Sequence, residues 1–167
     1  MKKKHVLLII GLLLVVFDSY AQKPRYIKTD TYEGVALPIY WATNPKEVKY
    51  AFFPTDKEIA TMEKKIADSI GVLLSTYEKR MQAEDYGDHS IMHCDIVENL
   101  QKFKRQYCGH WSKGDKVIFA QFFLKVPENW RKVMILSGYN GHCTEFSLNY
   151  SIKSGKFLGF FTDLSRL

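Results

Sequence analysis

Apolar positions follow three different patterns along the chain. The first is an unbroken run from Val6 to Phe17, preceded by Lys2, Lys3 and Lys4 and followed by Ser19-Tyr20-Ala21. A positive start, a short apolar stretch and small residues at the end form a secretory signal peptide, with cutting expected before Gln22. Twelve apolar residues are too few to cross a bilayer, which needs about 20. The second pattern is helical. Ile59, Met62, Ile66, Ile70, Leu73, Tyr77 and Met81 recur at steps of three and four, behind Thr55-Asp56-Lys57-Glu58. That tetrapeptide is a capping box, so the spacing predicts a long amphipathic helix starting at Thr55. A short second helix is expected over Asp95 to Phe103.

The third pattern has a period of two. Phe146, Leu148, Tyr150 and Ile152 alternate with Glu145, Ser147, Asn149 and Ser151. Further strands are read at Arg105 to Trp111, Val117 to Leu124, Lys132 to Leu136 and Phe157 to Thr162. Turns are expected at Ser112 to Asp115, Pro127 to Asn129, Gly138 to Gly141 and Lys153 to Lys156. Before the helix, Gln22 to Asp30 reads as a loose leader and Val48 to Phe53 as a short extended piece. Tyr32 to Trp41 is apolar but carries Pro38, which confines any strand there to an edge or breaks it.

The expected fold is α+β: one long helix packed on a four- to five-stranded antiparallel meander. Its element order is similar to cystatin-like and NTF2-like architectures, a likeness of order that carries no function. The division is a signal peptide at 1–21, an N-terminal extended segment at 22–54 and a helix-plus-sheet unit at 55–167, the last two forming one domain. One helix covers one face of a sheet. Val117, Phe119 and Phe123 point one way on their strand, and Ile118, Phe122 and Leu124 the other. The second apolar face therefore needs a cover: the segment Tyr32 to Phe53, a ligand or another protein.

Charge narrows the partners. The chain has 24 basic and 18 acidic side chains; without the first 21 residues the excess falls to +4. That excess is scattered, whereas a nucleic-acid binder carries a dense basic stripe, so no nucleic-acid partner is expected. No later stretch has the length of a membrane span. The basic group Lys102, Lys104, Arg105, Lys113 and Lys116, with Phe103, Tyr107 and Trp111 between, reads as a solvated sheet edge. Three cysteines, Cys94, Cys108 and Cys143, permit one intrachain bridge with a thiol left over, or none; the sequence does not choose a pair.

Chemistry-bearing motifs are sparse. The chain has no G-x-S-x-G, H-E-x-x-H, P-loop or G-x-G-x-x-G sequence. Ser90, His93 and Asp95 are neighbours in sequence, which does not make a triad. No catalytic residue is nominated. Each cysteine does have a histidine within two residues: His93-Cys94, Cys108-Gly109-His110 and His142-Cys143. Thiolate and imidazole suit zinc or copper. Cys108, His110, His142 and Cys143 are thus the candidate metal set, and Cys108 with His110 or His142 a candidate nucleophile pair. Tyr107, Trp111, Phe119, Tyr139 and Asn140 are the candidate binding residues.

Three pieces carry a resemblance. They are Phe53-Pro54-Thr55 leading to Ile59 and Glu63; Lys104-Arg105-Gln106-Tyr107 with Gly109, Gly114 and Lys116; and Trp130-Arg131-Lys132 leading to a glycine-rich turn and Phe146. Together they resemble a group of small secreted proteins of Gram-negative bacteria. Those often have Asp-Gly-Gly before an aromatic strand, where this chain reads Gly138-Tyr139-Asn140-Gly141-His142-Cys143. The resemblance implies a shared secreted fold and brings no catalytic residues. The function expected is an exported, noncatalytic module for a protein, glycan or small apolar ligand, without a cofactor. The alternative is a small metal- or thiol-dependent enzyme built on Cys108, His110 and His142.

Overall fold

The capping box read at Thr55 to Glu58 is formed. The Thr55 hydroxyl accepts from the Glu58 N–H at 3.2 Å, and the Glu58 carboxylate accepts from the Thr55 N–H at 2.8 Å. From it runs helix α1, Asp56–Ala83. A computed structural model describes residues 23–38, 50–83, 94–135 and 143–162. The helix buries Ile59, Met62, Ile66, Ile70 and Leu74, and with them Glu63. Leu73, Tyr77 and Met81 sit half-buried at the margin of that stripe. A second short helix, α2 at Ile96–Asn99, continues into one 3-10 turn, Leu100–Lys102.

Among the described residues seven strands make one sheet: β1 Arg25–Lys28, β2 Glu33–Ala36, β3 Ala51–Phe52, β4 Lys104–Ser112, β5 Asp115–Phe123, β6 Glu145–Ser151 and β7 Lys156–Thr162. Their order is β1-β2-β4-β5-β6-β7, with β3 also on β4. The antiparallel run β4 to β7 is the expected meander less one strand. The sheet is nevertheless larger than expected and mixed, because β2 lies parallel to β4. β2 occupies the outer edge of β4 along Lys104 to Tyr107, and β3 the same edge at Gly109 and His110. The leader expected to be loose instead forms β1, hairpinned onto β2. β2 stops before Pro38, as the ring demands, but it is an interior strand and not an edge.

The strand expected at Lys132 to Leu136 is not formed in its described part, residues 132–135, which are turns and coil. A side chain replaces the ladder there. Buried Gln106 donates to the carbonyls of Trp130 (2.6 Å) and Val133 (2.8 Å) and accepts from the Ile135 N–H at 2.8 Å. Backbone groups bonded in this way need no neighbouring strand. The turn at Ser112 to Asp115 does form. Lys113 (φ 48°) and Gly114 (φ 78°) both adopt positive φ, which a tight two-residue hairpin requires.

One face of the sheet carries Phe103, Tyr107, Ile118, Ala120, Phe122, Phe146, Leu148, Tyr150 and Phe160 into a single core beneath α1. The other face was expected to be covered by Tyr32 to Phe53. Val35 and Leu37 of that segment cluster with Cys108, and Val126, Trp130, Met134 and Ile135 pack on them; residues 39–49 of the segment lie outside the described residues. Cys94 and Cys143 form a disulfide with Cα atoms 5.6 Å apart, tying the start of α2 to the start of β6. Closing a loop of this size stabilises by about 2–4 kcal/mol, and such bonds persist in oxidising compartments. Among the described residues no helix is long and apolar enough to cross a membrane.

Candidate functional site

Directly opposed residues on antiparallel strands share a face of the sheet. Trp111 of β4 is opposite Lys116 of β5. On its other side the Trp111 N–H donates to the Tyr50 carbonyl at 2.6 Å, continuing the pairing of Ala51 with His110. Tyr50, which immediately precedes β3, Trp111 and Lys116 therefore form one row. It lies beside the first turn of α1, and the helix does not cover it: Tyr50 is 50% exposed and Trp111 44%.

The row is buttressed on its own face of the sheet by Phe52, which pairs with Gly109. The Phe52 ring stands edge-on to Trp111, with centroids 6.2 Å apart. It fits because residue 109 is glycine: a Cβ there would meet the Phe52 ring at 2.8 Å. The Lys116 ammonium lies 4.9 Å from the Phe52 centroid and 5.8 Å from that of Trp111, within cation–π range. It also reaches the Glu58 carboxylate at 3.4 Å. Burial acts to raise the Glu58 pKa, but the bonds from Thr55 and the charge of Lys116 outweigh it and hold the carboxyl below its ordinary range. The arrangement presents two half-exposed aromatic side chains and a cation on one face of the sheet. It can stack a ring and neutralise an anion, and it contains no nucleophile–base pair.

The other nominated residues are spread out. Tyr107 shares a face with Trp111 but is fully buried, and its hydroxyl donates to Glu63 at 2.8 Å. The same carboxylate accepts from Arg105 Nε at 3.1 Å, while the remaining guanidinium nitrogens donate to the carbonyls of Phe103 and Leu100. Burial pushes the Glu63 carboxyl up against the pull of Arg105 and Tyr107, and burial also drives the Tyr107 hydroxyl well above its usual value. This closed set braces α1 against β4. The sequence reading places Arg105 on a solvated basic edge, whereas the residue is buried with its guanidinium taken up by Glu63 and two carbonyls; the signal for that pairing was a carboxylate at helical spacing inside an apolar stripe.

Phe119 lies on the opposite face, half-buried, between Cys108 and Asn149. Tyr139, Asn140 and His142 lie outside the described residues, as do Ser90 and His93. Cys108 is fully buried with its Sγ 3.6 Å from Met134 Sδ, and His110 follows it on the same face. Burial lowers the His110 pKa, favouring a neutral imidazole, and its Nδ1 has no hydrogen-bond partner among the described residues. Cys143 is bonded to Cys94, so its sulfur offers no thiolate while that bridge stands. Among the described residues no group of three or more His, Cys, Asp or Glu is placed to hold a metal ion. The basic group is dispersed as well: Arg105 is buried, Lys104 pairs with Glu33, Lys102 bonds Asn99 and Lys116 meets Glu58.

No family model, no curated protein and no solved structure matches the chain.

Proposed function

We propose that the protein is an exported, noncatalytic binding module that holds its ligand on the row Tyr50, Trp111 and Lys116. The observation that carries this reading is the register of that row: two half-exposed aromatics and a cation, aligned from the residue before β3 across β4 and β5 and supported by Phe52. A half-exposed tryptophan kept in place by its neighbours is the kind of side chain that anchors interfaces. The signal-type N-terminus and the buried disulfide both fit work outside the cytoplasm.

The test is retention of envelope material on the immobilised processed protein, compared with Trp111→Ala and Tyr50→Ala variants of unchanged circular dichroism. The expected result is a component held by the native protein and lost with either substitution. Retention equal in all three, or none in any, overturns the reading. Metal at one equivalent in the purified protein, lost on Cys108→Ser, would favour the zinc- or copper-dependent alternative instead.

A further inference from the structure

We infer that the ligand of this row is an anionic glycan: a pyranose ring stacks on Tyr50 and Trp111 while its carboxylate reaches Lys116. The inference rests on the binding-module reading and gives it a ligand class. Stacking on exposed aromatic faces tolerates many ring types, so the aromatics alone select only flatness. The charges around them select the sign. Lys116 ends the row, Lys113 stands exposed in the adjoining β4–β5 turn, and Lys153 follows Ile152, whose N–H donates to the Lys116 carbonyl at 2.9 Å.

Among the described residues two carboxylates stand at this end of the sheet, and both are engaged. Asp115 accepts from the Ser151 hydroxyl and from the Lys153 N–H. Glu58 is held by the capping box and touches Lys116 only at 3.4 Å, longer than a charge-assisted bond of about 2.7–2.9 Å. The ammonium keeps donors for a second anion. Single-stranded nucleic acid also joins rings to anions. The disulfide between Cys94 and Cys143 fits an oxidising compartment, which favours a glycan over a nucleic acid as the ring-bearing anion.

The test titrates the processed protein with oligogalacturonate, a neutral gluco-oligosaccharide of the same length, and oligothymidylate, at fixed salt. The uronate should bind about tenfold or more tightly than the neutral chain, and Trp111→Ala should weaken it by a similar factor. Lys116→Met should remove the preference for uronate while leaving ring stacking in place. Equal affinity for the two glycans, binding of neither, or tighter binding of oligothymidylate overturns the glycan inference. If envelope retention still depends on Trp111 in those cases, the binding-module reading stands and only the ligand class fails.

Discussion

Glu33 has three bonded partners and an acid-sensitive role. Its carboxylate accepts from Lys104, from the Tyr26 hydroxyl at 2.7 Å and from Arg131 at 2.7 Å. The Lys104 bond is the largest cause that brings its pKa from the ordinary 4.5 to about 2, with Tyr26 next; burial opposes. Because the folded value is depressed, the stabilisation is present above 4.5 and disappears as pH falls towards 2. Denaturant unfolding of the native protein and Glu33→Gln should therefore differ at neutral pH and converge across that window. A difference that does not change with pH contradicts the assignment. Glu63, buried and pushed upward, has the opposite sign, so its ionised form is the costly one in the fold. Residue type alone does not separate these two glutamates. What separates them is whether three donors or an apolar core surround the carboxylate.

Elements differed in how much of them the sequence carried. The helix was legible because Thr55, Glu58 and the stripe from Ile59 onward are local signals. Strands β4 to β7 were legible from alternation and short turns. β1 and β2 were not: they are four residues each, polar or glycine-containing, and acquire their place only as a hairpin whose second strand pairs with β4. Parallel pairing leaves no local signature, since its partner lies far along the chain. Gly34 tests this placement. A Cβ there would meet the Tyr107 ring at 2.6 Å, and Tyr107 cannot swing away while its hydroxyl is held by Glu63. Gly34→Ala should thus cost about 1–3 kcal/mol in denaturant unfolding. A neutral or stabilising effect would mean that β2 does not lie against β4.

Across the whole molecule, the mixed sheet puts α1 on one face and the Val126 to Ile135 segment on part of the other, with the Cys94–Cys143 bridge joining the chain from α2 to β6. The second apolar face inferred from Val117 to Leu124 is real, but part of its cover comes from a segment that Gln106 folds back. At the far edge β7 leaves Leu158 60% exposed and Phe161 42%. Trp111 could be nominated from sequence, whereas Tyr50 could not, because its place beside Trp111 depends on β3 meeting β4 across more than fifty residues. The most direct test of the account is amide hydrogen exchange of the chain from residue 22 onward, with and without the ligand proposed for the row. Protection is predicted at 50–53 and 109–117. Protection confined to β7 and the face carrying Phe119, with the row unchanged, would contradict it.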